Sequence, residues 1–186
     1  MKVLPNSQYA ALILVMTTFI YNGCREKDQI DNSVSGFVLS SSEIKSDSLL
    51  PVDYTCDGVS ATLPLEWLGE PDGTAAFALI MHHVASPTDI HWYWVMYNIP
   101  VSVHSLVRNV SGIGILGTNS VNDRNEYAPP CSQGPGIKAY TFTVYALSSN
   151  PVISVPQTEV TRAVLLDAIK NITLSSAKIT VYYSRL

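Results

Sequence analysis

The stretch Tyr127–Leu147 reads YAPPCSQGPGIKAYTFTVYAL and joins the pattern of a loop to that of a strand. In its second part, Tyr140–Leu147, aromatic and aliphatic side chains alternate at first with threonine. This period of two predicts a half-buried β-strand. Its first part contains adjacent prolines, a cysteine and Gly-Pro-Gly, which favour a loop over pairing in a sheet. Because proline limits backbone freedom, the stretch predicts an ordered loop that leads directly into a strand.

Most of the remaining chain also has the pattern of strands and turns. The long segment Gly112–Asn125 is rich in Gly and Asn and is expected to be a loop, whereas Gln157–Asn171 has an apolar helical face, with Thr158 as its predicted N-cap. These elements predict a mainly β protein, an antiparallel β-sandwich with one late helix and long loops. The other predicted strands are Gly36–Ser41, Leu63–Leu68, Ala75–His83, His91–Pro100 and Lys178–Leu186.

Composition limits the class of partner. The chain has 186 residues, of which 47% are hydrophobic and 14% charged, and its formal net charge is −4. That content is enough for one domain with a sizeable core. Because phosphate backbones are bound by clustered Lys and Arg, and no such cluster occurs here, we expect no binding of nucleic acid.

The N-terminal residues form a separate segment. Lys2 is the only charged residue before Arg25, and the apolar run Ala10–Tyr21 has the length of a signal peptide and is too short for a comfortable membrane span. Gly23 before Cys24 resembles a bacterial lipoprotein signal, which implies lipidation of Cys24. A plain secretory signal that is cut elsewhere is the alternative.

We therefore predict a signal peptide over residues 1–23, a flexible linker over 24–36 and a single domain over 37–186. The protein is expected to be exported and anchored in the cell envelope by lipid, or else to be soluble in the periplasm or secreted. If Cys24 carries lipid, Cys56 and Cys131 remain, and an even pair in an oxidising compartment predicts a disulfide. Two buried free thiols or a metal site are the alternatives.

The order of several short segments resembles the phosphatidylethanolamine-binding protein family, in its bacterial Raf-kinase-inhibitor-like branch. The segments are LPVDYTCDG, PLEW, PDGTAAFALIM, WYWVMYNIP and GTNS, followed by the opening stretch, and the resemblance covers Phe37 to about Arg185. It implies a sandwich of a large and a small sheet, with a small anion pocket at one end. Members of the family bind phosphate, acetate or a phospholipid head group and act as binders and regulators, often of kinases or proteases.

Two segments that line the family's pocket are altered in this chain. The family's DPDAP segment corresponds to His83–Pro87, where His83 replaces the first acidic residue and Ala85 the second. The histidine of the family's HW pair is replaced by Tyr93. Both acidic residues and one histidine of the family pattern are therefore absent.

The loop before the last quoted strand is altered as well. The family's GxHRY becomes GIKAY, so that Lys138 replaces the histidine and Ala139 the arginine, while Tyr140 is kept. The adjacent prolines shift to Pro129 and Pro130, and Ser132 and Gln133 take the places where the family usually has proline. The resemblance implies that this loop forms one wall of the pocket.

Strand alternation extends the candidate site. Residues two apart on a strand share a face, so His91 and Tyr93 are expected to point one way, and Trp92 and Trp94 the other. By the same rule His82 should face away from His83. The predicted ligand-binding residues for a small anion or phospholipid head group are His83, His91, Tyr93, Lys138 and Tyr140.

Other chemistry is less well supported by the sequence. The residues His82, His83, His91, Cys56 and Cys131 match no compact ligand spacing, so neither a metal nor another cofactor is predicted. No nucleophile elbow, P-loop or paired-carboxylate signature occurs, so an enzyme is not predicted. Two alternatives stay open: an interaction module, such as a protease or kinase inhibitor with a vestigial pocket, and a hydrolase that uses Ser132, His91 and Asp57.

Overall fold

The computed structural model describes residues 36–133 and 136–185. The predicted signal peptide, Cys24 and all but the last residue of the predicted linker lie outside the described residues, so these predictions stay predictions. Among the helices of the described part, none combines the length and the apolar character needed to cross a membrane.

The larger sheet has six strands, β2 (Ser48–Leu49), β4 (Ala76–Ser86), β5 (Asp89–Pro100), β7 (Ile115–Leu116), β8 (Lys138–Leu147) and β9 (Thr173–Tyr183). Their order across the sheet is β2-β9-β8-β4-β5-β7. All neighbours are antiparallel except β2 and β9, which are parallel. The short strand β7 lies within the segment that the sequence predicts to be a loop.

The smaller sheet has three antiparallel strands, β1 (Val38–Ser40), β3 (Leu65–Leu68) and β6 (Ser105–Leu106), in the order β1-β3-β6. The described residues contain one α-helix, α1 (Arg162–Ile169). The prediction of a mainly β sandwich with a large sheet, a small sheet and a late helix is confirmed.

The core between the sheets follows from the two-residue period of the long strands. Phe77 and Leu79 on β4 and Phe142 and Val144 on β8 are completely buried there. Trp67 of the small sheet packs edge-on against Phe77, with the ring centroids 5.3 Å apart. Each such side chain contributes roughly 1.5–3 kcal/mol on burial, so these apolar positions hold the two sheets together.

Helix α1 covers the other face of the large sheet. It buries Leu165 and Ile169 in a second apolar cluster that includes Ile80 of β4 and Val95 of β5. Long-range packing of these side chains stabilises a helix that is too short to persist by itself.

The predicted N-cap of this helix was wrong by three residues. Thr161 is the N-cap, and its hydroxyl accepts a hydrogen bond from the Val164 amide. The predicted cap, Thr158, lies in a 3-10 turn, Gln157–Glu159, and its carbonyl oxygen accepts a hydrogen bond from the Thr118 hydroxyl at 2.8 Å. That tertiary contact keeps the first part of the predicted helix apart from α1.

A β-bulge in β5 corrects the predicted facing of its aromatic residues. Met81 pairs with Trp94 and the next residue, His82, pairs with Trp92, so β5 has one extra residue, Tyr93, at this point. Trp94 consequently packs in the core between the sheets, whereas Trp92 packs on the helix side. The prediction that both tryptophans share a face was therefore wrong.

Candidate functional site

The ends of β4, β5 and β8 and two loops enclose a cavity of about 450 Å³, which we call the histidine cavity. Most of the residues that the sequence predicts for the site line it. Tyr140 and Pro130 are buried beneath the wall and do not line it. The lining residues are His83, Ala85, His91, Tyr93, Ser120, Val121, Pro129, Cys131, Ser132, Gln133 and Lys138.

Two imidazole rings form the wall that the antiparallel pair β4 and β5 provides. His83 and His91 are direct partners in the register of these strands, and their rings stack with centroids 6.4 Å apart. His82 pairs instead with Trp92 on the helix side and does not line the cavity. The strand register therefore brings together two histidines that are eight residues apart in sequence.

Each of these imidazoles has a fixed partner on one nitrogen. Nδ1 of His83 lies 2.9 Å from the carbonyl oxygen of Ala139, and because a carbonyl can only accept, we assign the proton to Nδ1. Nε2 of His91 lies 3.2 Å from a carboxylate oxygen of Asp89. The second nitrogen of each ring has no hydrogen-bond partner among the described residues, so a ligand could contact it.

Hydroxyl groups form the floor of the histidine cavity. The rings of Tyr93 and Tyr140 meet edge to face with centroids 5.2 Å apart, and Tyr140 is completely buried behind Tyr93 and His83. Burial raises the pKa of both phenols, so both carry their proton at neutral pH.

Two hydroxyls in this floor have no hydrogen bond of good geometry. They belong to Tyr140 and to Ser132, whose side chain is only 2% exposed. The floor therefore presents the neutral hydroxyls of Tyr93 and Ser132, with the Tyr140 hydroxyl buried beneath them.

The loop that precedes β8 is held at its N-terminal end by three contacts. The hydroxyl of Tyr127 donates to the carbonyl oxygen of Tyr54 at 2.8 Å, and its ring packs edge-on against Trp94. The amide of Ala128 donates to the carbonyl oxygen of Tyr93 at 2.8 Å. Because the bulge directs Trp94 into the core between the sheets, its ring contacts Tyr127 at the start of this loop.

The middle of the same loop is fixed covalently. The predicted disulfide between Cys56 and Cys131 is present, with 5.2 Å between the Cα atoms and 75 residues between the cysteines. Beside it, the amide of Cys56 donates to the carbonyl oxygen of Pro130 at 3.0 Å. Further along, Nζ of Lys138 donates to the carbonyl oxygen of Gln133 at 2.5 Å. The lysine therefore braces the loop as well as placing a charge beside the cavity.

A third wall comes from residues that the sequence analysis did not assign to the site. Ser120 and Val121 line the cavity, and the Ser120 hydroxyl accepts from the Trp92 amide at 2.8 Å and donates to the Trp92 carbonyl oxygen at 3.0 Å. Asn119 orders the turn that follows, because its side chain bonds four backbone groups there. In the sequence, the only signal for this third wall was the segment GTNS, residues 117–120.

The glycine of that segment has a steric role. A Cβ atom at Gly117 would lie 2.5 Å from the carbonyl oxygen of Val160 and 2.6 Å from the Val95 side chain. Only glycine allows the chain to pack so closely against the second apolar cluster. This close packing positions the segment that contains Ser120 at the cavity.

The cavity is cationic in character. Its lining includes two histidines and one lysine, and none of the lining residues that the structure describes is Asp or Glu. The carboxylate of Asp89 contacts one lining residue, His91, at 3.2 Å but does not itself line the cavity. Across residues 36–133 and 136–185, no group of three or more His, Cys, Asp or Glu side chains is arranged to hold a metal ion.

The hypothetical hydrolase set is not assembled. Ser132 and His91 both line the histidine cavity, but no hydrogen bond joins them, and Asp57 lies in a different cavity with Tyr183 and Arg185. The carboxylate that contacts His91 is Asp89. A nucleophile activated by a base needs a hydrogen bond or a close approach between the two, and Ser132 and His91 share no hydrogen bond.

Comparison with known proteins agrees with this geometry. A family profile described as "Phosphatidylethanolamine-binding protein" matches residues 40–184. The UPF0098 protein of Methanothermobacter thermautotrophicus is 32% identical over 141 residues, which cover 73% of this chain and 91% of the relative. UPF0098 protein YbcL of Escherichia coli K12 is 28% identical over 134 residues, 63% of this chain and 72% of the relative.

Two crystal structures share the fold. YbcL of E. coli, described as a member of the mammalian PEBP family, superposes with a TM-score of 0.73 at 23% identity, covering 82% of this chain and 100% of that chain. A putative phosphatidylethanolamine-binding protein homologue from Chlamydia trachomatis gives a TM-score of 0.73 at 24% identity, covering 82% of this chain and 99% of that one. At these identities the structures establish the fold alone.

Proposed function

Because the chain belongs to the phosphatidylethanolamine-binding protein family, we propose that it is a binding protein whose histidine cavity takes a small anionic group. The group is a phosphate, a carboxylate or the head group of a phospholipid. The observation that carries the proposal is the convergence of His83, His91 and Lys138 on a cavity lined by no described carboxylate. Lys138 supplies the field that favours an anion there, and each imidazole adds to it only when its free nitrogen also carries a proton.

Lys138 supplies the permanent charge of the proposed site. Its ammonium group has three hydrogens, and one of them is used on the Gln133 carbonyl oxygen. Two hydrogens remain for ligand oxygens, while the Tyr93 hydroxyl orients the ligand from the floor. A charge-assisted hydrogen bond of this kind contributes about 1.5–3 kcal/mol.

The test is calorimetry with inorganic phosphate and with glycerophosphoethanolamine. Lys138→Met should weaken the binding of either ligand by about tenfold or more with the fold unchanged, because it removes the charge and keeps the bulk of the side chain. Lys178→Met is the matched control, since Lys178 is an exposed lysine of β9 that does not line the cavity. Equal affinities in wild type and Lys138→Met would reject the proposal.

We also propose that the protein is exported and held at a membrane by a lipid on Cys24. The support is the apolar run Ala10–Tyr21 followed by Gly23 and Cys24. Labelling of cells with a fatty-acid probe should tag the protein, and Cys24→Ser should remove the label. A mature chain that begins at another residue would contradict lipidation at Cys24.

A second candidate function is an interaction module that inhibits a protease or kinase. The observation that favours it is a group of exposed apolar side chains in one stretch of chain: Leu49 is 70% exposed, Val52 52% and Val59 68%. Inhibition that is lost in Leu49→Asp and retained in Lys138→Met would support this function. The reverse pattern would instead assign inhibition to the histidine cavity.

A further inference from the structure

The disulfide is part of the wall of the proposed anion site. Cys131 lines the histidine cavity together with Lys138 and His83, whereas its partner Cys56 does not line it. Both cysteines are only half-buried, unlike the fully buried Tyr140 beneath them. A small dithiol can therefore reach the disulfide from solvent.

Opening this bond would create an anion inside a cationic cavity. Lysine and protonated histidine beside a thiol lower its pKa, because they stabilise the thiolate. The thiol of Cys131 would share its cavity with Lys138 and His83, and no described carboxylate lines that cavity to oppose the effect. The same field that favours an external anion thus favours the Cys131 thiolate.

We propose that the Cys56–Cys131 disulfide is a redox control of the anion site, an inference that rests on the proposed function. A dithiol reductant attacks the disulfide as a thiolate and forms a mixed disulfide, and its second thiol closes a ring and releases the protein sulfur. The dithiol is oxidised to a cyclic disulfide, and the protein gains two electrons and two protons, giving two thiols. The Cys131 thiol then loses its proton to solvent and competes with the external anion for Lys138.

Reduction of the disulfide and binding of phosphate should each affect the other, and both effects can be measured. If reduction weakens phosphate binding by a given factor, phosphate must oppose reduction by the same factor. Saturating phosphate should therefore increase the concentration of dithiothreitol needed to reduce half of the protein. Dithiothreitol is the suitable reductant because it is uncharged and does not itself compete as an anion.

A matched pair of variants separates the thiolate from the loss of the cross-link. Cys56→Ser and Cys131→Ser both abolish the disulfide, but only Cys56→Ser leaves a thiol in the cavity wall. Calorimetry with inorganic phosphate at pH 8 should show binding about tenfold or more weaker in Cys56→Ser than in Cys131→Ser. The rate of alkylation by iodoacetamide against pH should give a thiol pKa for Cys131 below the ordinary value of about 8.5.

The outcomes distinguish this inference from the function on which it rests. No binding of phosphate or glycerophosphoethanolamine to the oxidised wild type overturns the proposed function, and the redox control with it. Binding to the oxidised protein with equal affinities in the two serine variants overturns the redox control alone, as does a Cys131 thiol pKa of 8.5 or higher. If either variant fails to fold, the dithiothreitol titration of wild type with and without phosphate decides, and no shift overturns the inference.

Discussion

Two cavities of similar size lie near the disulfide, and they differ in how their charges are paired. The histidine cavity has a volume of about 450 Å³ and includes Cys131 in its wall. The second, which we call the aspartate cavity, has a volume of about 420 Å³ and includes Asp57, the residue that follows Cys56. In the aspartate cavity the Asp57 carboxylate accepts hydrogen bonds from the Tyr183 hydroxyl and, at 2.5 Å, from the Arg185 guanidinium.

The two cavities have similar volumes, so volume alone does not indicate which of them binds a ligand. In the aspartate cavity, the charges of Asp57 and Arg185 satisfy each other, and the pair joins the segment just after β9 to the residue that follows Cys56. In the histidine cavity, Lys138 and His83 contact only carbonyl oxygens, and the one carboxylate contact, that of His91 with Asp89, comes from a residue that does not line the cavity. The first arrangement stabilises structure, and the second can stabilise a bound anion.

The largest expected effect comes from giving the histidine cavity a carboxylate of its own. Ala85 lines the cavity, and Ala85→Asp should weaken phosphate binding by about ten- to a hundredfold. Like charges about 6 Å apart at an effective dielectric constant of about 20 repel by roughly 3 kcal/mol, which sets the upper limit. Calorimetry at pH 7 measures the change.

Ala85→Asn is the matched control for this substitution, because it has the shape of aspartate without the charge. It should bind phosphate within about threefold of wild type. If the Asp and Asn variants weaken binding equally, crowding and not charge explains the loss, and the contrast between the two cavities fails.

The next effect concerns the aspartate cavity and depends on pH. Hydrogen bonds from Tyr183 and Arg185 lower the pKa of Asp57 below its ordinary value of 3.8. A lowered pKa in the folded state contributes stability at pH above the unfolded value, and that contribution is lost as the pH falls through the folded value. Asp57→Asn should therefore melt at a lower temperature than wild type at pH 7, and the difference should shrink below about pH 4.

Thermal melts of both proteins from pH 7 to pH 2 make this measurement, and Arg185→Met should behave in the same way. Phosphate affinity at pH 7 should be unchanged in Asp57→Asn, since Asp57 does not line the histidine cavity. A difference in melting temperature that stays constant across the whole pH range would contradict the assignment of the ion pair.

The smallest effect is expected at Tyr140. Its hydroxyl has no hydrogen bond of good geometry within the described residues, and its ring lies beneath the cavity. Tyr140→Phe should change phosphate affinity by less than about threefold and the free energy of unfolding by less than about 0.5 kcal/mol, because no bond is broken. A loss above about 1 kcal/mol in denaturant titrations would show that the hydroxyl has a partner in solution.

The site could be predicted only as far as local pattern and family resemblance reach. Alternation along strands correctly grouped His91 with Tyr93, because neighbouring positions on a strand point to opposite faces. It failed at Trp94, because a bulge depends on the register with β4 and not on the sequence of β5 alone. Ser120 could not be assigned to the cavity because its place depends on hydrogen bonds to Trp92, 28 residues away.

Periodicity and segment order in the sequence were enough to predict the long strands and the family resemblance, and the cysteine number made a Cys56–Cys131 disulfide the leading expectation. The tertiary structure alone decided which hydroxyls reach the cavity, that Thr161 begins the helix, and that Lys138 braces its own loop through Gln133. It also decided that Asp57 is neutralised by Arg185 while no described carboxylate lines the histidine cavity. The physical reason is that charge pairing and burial depend on distances between residues far apart in the chain, which only the packed sheets and loops fix.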